Sequence, residues 1–253
     1  MQLSLDYPDL LDYRVRVSGR ARRPSVSVCM HEGIVVTVPS RFDQRRLPAL
    51  LREWQPWLTR QLATLQSEQR ALPADLQQQR PTLIRLPAVG QYRSVAYRRS
   101  ERAQVTTRED GKRLTLHGAV DDDTACRDAL LRWLARQARG HLQPLAGELA
   151  LAHGFEFKKI SIRGQRTRWG SCSSTGTISL NYYLMFLEPE LVQCVVLHEL
   201  CHTRHMNHGP RFHALLGKLV PNHRQLDRRV NQGWKQIPAW AWRRQGQAVS
   251  KSD

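Results

Sequence analysis

The first forty residues show the alternation of apolar and polar side chains that is typical of half-buried β-strands. β-Branched residues alternate with charged or small polar ones in Arg14–Val17 and Ser25–Val28, and a third segment, Ile34–Val38, is β-branched throughout. Glycine and proline separate these segments, as expected for turns. The pattern therefore predicts a small β-rich region at the N-terminus.

Two later segments show the 3.6-residue apolar period of helices. The first covers residues 43–70, where Pro56 is expected to bend or break the helix. The second covers residues 121–152; it begins with three aspartates, which suit a helix N-terminus, and Pro144 is expected to divide it. Between the two helices the sequence predicts further strands at Thr82–Leu86, Gln91–Tyr97 and Arg113–His117.

The segment after residue 155 combines predicted strands at Lys159–Arg163 and Thr177–Asn181 with an apolar helix over Pro189–His202. Strands and helices follow one another in blocks, without a regular βαβ alternation, and this order predicts an α+β fold. We divide the chain into a β-rich region with an intervening helix (1–120), a second region (121–238) and a polar tail (239–253). We expect the tail to be disordered.

Composition narrows the possible classes of protein. An apolar fraction of 41% in 253 residues is sufficient for a packed core and excludes disorder of the whole chain. No apolar run approaches the roughly 18 residues required to cross a bilayer, so we expect no membrane partner. The N-terminus lacks the pattern of a signal peptide, and the five cysteines contain no CxxC pair. We therefore expect a reduced, cytoplasmic chain.

The charge balance is strongly basic, with 39 lysines and arginines against 22 acidic residues and a formal charge of +17. Such a charge is compatible with a nucleic-acid or phosphate-bearing partner. Arginines recur in every segment, however, and no basic block stands out along the chain. Composition alone therefore predicts no more than weak nucleic-acid binding through a basic surface.

A histidine motif on the last predicted helix indicates metal chemistry. His198 and His202 are separated by four residues, which places both imidazoles on one helix face, one turn apart. Glu199 follows the first histidine, as in H-E-x-x-H sites where the glutamate is the general base. Because two or three imidazoles favour zinc among the abundant ions, we expect Zn²⁺.

A third ligand is expected from the residues beyond the helix. His208 is six residues past His202 and is followed by Gly209 and Pro210, which should end the helix and turn the chain back. No glutamate follows Glu199, so a glutamate ligand from a later helix is excluded. The remaining alternatives to His208 are His205, His213 and His223.

These residues resemble the YgjP-like metal-dependent hydrolases, a family similar to the WLM and SprT zinc proteases. The resemblance covers about residues 12–235 and rests on Arg168–Ser173, Ile178–Asn181, the helix with its two histidines, and Asn207–Phe212. It implies a zincin-like catalytic region over 121–238, zinc held by His198, His202 and His208, and hydrolytic activity. One departure is His213, where the family often has tryptophan.

The expected reaction is hydrolysis by metal-activated water, with Glu199 taking the proton. Candidates for contacting the transition state or substrate are Arg168, Tyr182, Tyr183 and His205. In the related proteases the strand before the metal helix often pairs with the substrate, which suggests this role for Thr177–Asn181.

A metallopeptidase acting on a peptide or protein is the leading hypothesis. Its alternatives are a metal-dependent nucleoside triphosphate hydrolase, in which arginines bind the phosphates, and a basic nucleic-acid-binding module without catalysis.

Overall fold

The computed structural model describes residues 13–29, 33–71, 73–165 and 167–242, and the chain forms two compact units. One unit comprises residues 1–73 together with 242–253, and the other comprises residues 74–241. These divisions do not coincide with the boundaries at 120 and 238 expected from the sequence. Residues 239–241 of the expected polar tail form a short 3-10 turn, and the tail beyond residue 242 lies outside the described residues.

The first unit is a three-stranded sheet with one long helix. Its elements are β1 (Tyr13–Ser18), β2 (Ser25–Cys29), β3 (Gly33–Pro39) and α1 (Leu47–Arg70). The strand order is β1-β3-β2, with β1 parallel and β2 antiparallel to β3. The alternating apolar residues of β3 (Ile34, Val36 and Val38) form a core with leucines of α1. The helix continues through Pro56, so this proline does not break it.

The second unit begins with a short helix and a four-stranded sheet. These elements are α2 (Ala74–Gln77), β4 (Leu83–Leu86), β5 (Gln91–Arg99), β6 (Thr106–Asp110) and β7 (Arg113–Gly118). The order is β4-β5-β7-β6, with β5 and β7 parallel and the other pairs antiparallel. Gly111, at φ +54°, forms the turn between β6 and β7 with a backbone conformation that favours glycine.

Helix α3 (Asp123–His153) connects this sheet to the strands that follow. Arg136 and Gln137 donate hydrogen bonds to Thr107 and Glu109 of β6, and Gln143 donates one to the carbonyl of Ile160 in the next sheet. One helix thus bonds to strands on both sides of residue 120, which explains why the second unit does not begin at residue 121.

The expected division of α3 at Pro144 is wrong, because the helix is continuous over 31 residues. Pro144 is on the exposed side, whereas its neighbours Leu142 and Ala146 are fully buried. Burial of these neighbours offsets the loss of one helix hydrogen bond at the proline.

The remaining elements surround the histidine motif. They are β8 (Lys159–Arg163), β9 (Gly170–Cys172), β10 (Thr177–Asn181), α4 (Pro189–Cys201), α5 (Pro210–Leu219) and α6 (His223–Gln232). The strand order is β8-β10-β9, so β10 is the central strand. Both of its edges are paired, parallel to β8 and antiparallel to β9. The expectation that Thr177–Asn181 pairs with a substrate is therefore wrong, because the strand has no open edge.

The mixture of helices with separate sheets confirms the expected α+β fold class. None of the helices in the described ranges combines the length and apolar character needed to cross a membrane.

Candidate metal centre

Two imidazoles lie one turn apart at the C-terminal end of α4. The helix begins at Pro189, where the missing N–H of proline costs nothing, and most of its residues are buried. His198 lies in its last turn, and His202 is the C-cap residue directly after Cys201. Four residues advance a helix by about 400°, so both side chains point the same way. Their Nε2 atoms are 3.2 Å apart.

His208 comes from the segment between α4 and α5 and completes a cluster of three imidazoles. The expectation that Gly209 and Pro210 end this helix is wrong, because α4 already ends at Cys201. Pro210 instead begins α5, with Gly209 in extended conformation before it, and His208 lies in the connection between the two helices. The Nε2 atom of His208 is 3.0 Å from that of His198. The ligand nitrogens of His198, His202 and His208 all lie within 4.8 Å of one another. The structure thus brings together the three histidines selected from the sequence.

The chemistry of this donor set fits a tetrahedral metal ion. Nitrogen ligands about 2.0–2.1 Å from such an ion are about 3.3 Å apart. The Nε2 atom of His198 lies close to this separation from those of His202 (3.2 Å) and His208 (3.0 Å). The Nδ1 of His202 is 3.0 Å from the carbonyl oxygen of His205. Because a carbonyl only accepts, this Nδ1 carries the proton, and Nε2 of the neutral ring presents its lone pair to the cluster. Burial also lowers the pKa of His198 to about 4, which keeps that ring neutral.

One aromatic side chain from α5 contacts all three imidazoles. Phe212 is fully buried and stacks on His202 with ring centroids 4.6 Å apart. It meets His198 and His208 edge-on, at 4.9 Å and 4.8 Å. The phenylalanine therefore fixes the orientation of the three rings and excludes water from one side of the cluster. The sequence contained this residue within Asn207–Phe212 but gave no indication of its contacts.

Glu199 is buried beneath strand β9. The residue is 6% exposed, and its Oε2 has no hydrogen-bond partner among the described residues. A Cβ added at Gly170 of β9 would lie only 2.6 Å from Glu199 Oε1 and 2.7 Å from Cγ. Glycine is thus required at residue 170 for the strand to pass this close to the carboxylate. The sequence singled out the Arg168–Ser173 stretch without identifying this reason.

The environment of Glu199 disfavours its charge. Burial raises the pKa of this carboxyl to about 8, and the positive charge of Arg168 partly opposes the increase. The Arg168 side chain is exposed, so its charge reaches the carboxyl from the solvent side. Among the residues that the sequence predicted to contact the substrate or transition state, Arg168 is thus the one whose charge acts on Glu199.

Asn181 holds the loop that precedes β9. Its side-chain amide donates to the carbonyls of Gln165 (2.7 Å) and Arg168 (2.9 Å), and its backbone N–H donates to the carbonyl of Trp169 (2.8 Å). The side chain of Asn181 is completely buried. These bonds position Gly170 over Glu199, a role that could not be read from the sequence.

The other selected residues lie outside the imidazole cluster. Tyr182 is buried with its hydroxyl against Gly164, and the Tyr183 hydroxyl donates to the carbonyl of Ala241 at 2.6 Å. His205 contributes its backbone carbonyl, and its side chain does not belong to the group of three ligands found among the described residues.

The alternative ligands His213 and His223 are also outside this group. The ring of His213 is 6.4 Å from that of His208, and the ring of His223 is a further 6.2 Å from His213. Within the described ranges, His208 is therefore the histidine that joins the two helix imidazoles.

In this α+β unit, three imidazoles converge beside the helix that carries a buried glutamate. Such an arrangement is typical of metallopeptidase domains. A family model described as "YgjP-like, metallopeptidase domain" matches residues 22–233, and the chain belongs to this family. No curated protein matches the chain.

Two solved structures are similar to part of the chain. The metallopeptidase zymogen abylysin of Pyrococcus abyssi is 22% identical, with a TM-score of 0.34, over 36% of this chain and 92% of its own. The metallopeptidase zymogen jannalysin of Methanocaldococcus jannaschii is 24% identical, with a TM-score of 0.34, over 37% of this chain and 96% of its own.

Proposed function

We propose that the protein is a zinc-dependent metallopeptidase, with His198, His202 and His208 as the zinc ligands and Glu199 as the general base. The observation that carries the proposal is the convergence of three imidazole nitrogens at the end of the helix that also holds the buried carboxylate of Glu199, whose Oε2 has no partner among the described residues. The substrate class is a peptide or protein, in keeping with the family.

Bound zinc would polarise the scissile carbonyl and lower the pKa of a water molecule. Glu199 takes the proton of the attacking water and returns it to the leaving amine. Burial raises the pKa of this carboxyl to about 8, and the positive charge of bound zinc would lower it again, so that the base is ionised when the metal is present. Among the described residues, no donor competes for its Oε2. Phe212 holds the three imidazoles in place during the reaction, and Arg168 lies where it can attract a negatively charged group.

The open edge of β9 is the proposed binding site for the substrate backbone. In an antiparallel pair, alternate residues bond to the same neighbour. Trp169 and Ser173 bond to β10 through their backbone groups, so those of Gly170 and Cys172 point to the opposite edge. An extended peptide that adds to this edge would bond to Gly170, the residue in contact with Glu199. This pairing brings the peptide bond to the general base.

Hydrolysis of a phosphoanhydride remains the second candidate, supported by Arg168. A guanidinium group suits phosphate, and this one is exposed near Glu199. If nucleoside triphosphates are the substrate, Arg168→Gln will abolish their turnover, whereas the metallopeptidase proposal predicts cleavage of peptides and no turnover of nucleotides.

The experiment compares zinc content and cleavage of casein and of a fluorogenic peptide library in the wild type and in single variants. Glu199→Gln is expected to retain zinc and lose at least a hundredfold in kcat/KM, since a general base contributes about 10²–10⁴. His208→Ala is expected to lose zinc and activity together.

His213→Ala is the matched control for His208→Ala. His213 is an exposed histidine only 6.4 Å from the ring of His208, yet it is outside the group of ligands. Its removal should leave the zinc content at one equivalent. Retention of one equivalent of zinc by His208→Ala would contradict the ligand assignment, and unchanged cleavage by Glu199→Gln would contradict the role of the base.

A further inference from the structure

The topology of the first unit brings two separate loops to the same end of its sheet. Strands β1 and β3 are parallel and finish in register, with Ser18 opposite Pro39. Strand β2 is antiparallel to β3 and starts at this end, with Ser25 opposite Thr37. The segment 19–24, between β1 and β2, and the segment 40–46, between β3 and α1, therefore lie side by side. We call this surface the arginine end.

Six exposed arginines occupy the arginine end. They are Arg20, Arg22, Arg23, Arg41, Arg45 and Arg46. Among the described residues, none of their guanidinium groups has an ion pair or a hydrogen bond. The single acidic residue of the two segments, Asp43, accepts a hydrogen bond from the backbone N–H of Arg45 at 3.0 Å. Within the described part of this unit, no acidic side chain therefore pairs with the positive charge of this surface.

Helix α1 adds to this positive potential. It begins at Leu47, directly after the second segment, and its first turn contains no acidic residue. The N-terminal end of a helix carries about half a positive charge. The sequence does not reveal this concentration of charge, because about twenty residues separate the two groups of arginines along the chain.

We propose that the arginine end binds the sugar–phosphate backbone of double-stranded nucleic acid. Arginine binds phosphate oxygens through two parallel hydrogen bonds, and six guanidinium groups without a partner in the described ranges offer many such contacts. Strands spaced by about 4.8 Å make this end about 10 Å across, close to the roughly 12 Å width of the major groove. The two segments can therefore contact phosphates on both sides of a groove.

The aromatic content of the two segments favours a duplex over a single strand. Proteins that bind single strands stack the bases on aromatic side chains. The one aromatic residue of these segments, Phe42, packs against the core of the first unit. It is consequently not available for stacking, and the surface offers charge without base recognition. Binding should be independent of the nucleotide sequence of the duplex and should weaken strongly as the salt concentration rises.

The test measures the binding of the full-length protein to a fluorescein-labelled 24-base-pair DNA duplex and to an RNA duplex, by anisotropy at 50–200 mM salt. If all six arginines contact phosphates, log K against log salt should fall with a slope of about −5. The variant Arg20→Gln/Arg22→Gln/Arg23→Gln should bind at least tenfold more weakly at 100 mM salt, with the slope reduced by about 3.

A control variant removes the same charge elsewhere. Arg98, Arg102 and Arg108 are exposed arginines of the second unit, and their triple replacement by glutamine should change the affinity less than twofold. A second variant of the arginine end, Arg41→Gln/Arg45→Gln/Arg46→Gln, should reproduce the loss, so that the result does not depend on one loop.

Three outcomes would overturn the proposal. One is equal weakening by the control variant, which would attribute binding to net charge alone. Another is unchanged duplex affinity in both variants of the arginine end. The third is arginine-dependent binding to vesicles with 30% phosphatidylserine that is tighter than binding to either duplex, which would identify a membrane surface. A difference between the DNA and RNA arms identifies which duplex is preferred, and none of these measurements requires peptidase activity.

Discussion

The close approach of β9 to the carboxylate of Glu199 predicts a large effect for a single added methyl group. In Gly170→Ala the new Cβ would lie 2.6 Å from Oε1 and 2.8 Å from Cδ of Glu199. Carbon atoms in favourable contact are about 3.5–4.0 Å apart, so the carboxylate or the strand must move by roughly 1 Å. A displacement of this size in a reacting group costs about a hundredfold in rate. Overfilling a packed interior costs about 1–3 kcal/mol.

We therefore expect Gly170→Ala to retain zinc, to lose about two orders of magnitude in kcat/KM for a peptide substrate, and to lower the free energy of unfolding by about 1–3 kcal/mol. Steady-state cleavage, metal analysis and urea denaturation measure the three quantities.

Gly140→Ala in α3 is the matched control, because nothing lies within 4 Å of the Cβ that it would add. It should keep full activity and increase stability by about 0.5–1 kcal/mol. Wild-type cleavage and wild-type stability in Gly170→Ala would refute the steric reasoning.

Substitutions at three further residues test the contacts that surround the proposed zinc site. Phe212→Ala should lower the free energy of unfolding by about 3–5 kcal/mol and weaken zinc binding, with Phe212→Leu intermediate; urea denaturation and zinc titration measure both, and unchanged zinc affinity would argue against the packing role. Asn181→Ala should cost about 1–3 kcal/mol in urea denaturation, because two part-buried carbonyls lose their donor and the buried N–H of Tyr183 loses its acceptor; a loss below 0.5 kcal/mol would contradict this account. Cys172→Pro removes an N–H at the edge of β9 that faces away from β10, and it should reduce kcat/KM about tenfold with zinc retained. Cys172→Ser keeps this N–H and should leave kcat/KM unchanged. Equal kcat/KM in the two variants would exclude a hydrogen bond between the substrate backbone and residue 172.

The imidazole cluster was largely predictable from local rules. A period of 3.6 residues places His198 and His202 on one face of any helix that contains them. The break between α4 and α5 that lets His208 turn back was expected from Gly209 and Pro210, although α4 already ends at Cys201 and Pro210 instead begins α5. The convergence of the three side chains therefore required little knowledge of the tertiary fold.

The surroundings of the cluster depend on pairings that a single sequence does not encode locally. Strand β9 has three residues, Gly170, Ser171 and Cys172, and is too short for an alternation to be recognised. Thr177–Asn181 alternates like any half-buried strand, and this pattern cannot distinguish a central strand from an edge strand. β6 was missed because its residues are mostly exposed and polar.

The position of the arginine end could not be predicted from the sequence either. Its two groups of arginines are separated along the chain by the whole of β2 and β3, and only the register of the sheet brings them together. Composition correctly indicated a basic chain, and the fold determines where the charge is concentrated.

The three proposed zinc ligands differ in how firmly the fold holds them. His198 and His202 belong to a buried helix, whereas His208 is exposed and follows Met206 and Asn207, which are exposed as well. Ordering each such residue costs about 1–2 kcal/mol of conformational entropy. The residence time of the metal should therefore be set by the opening rate of this short segment, and stiffening it would slow metal loss without altering a single ligand.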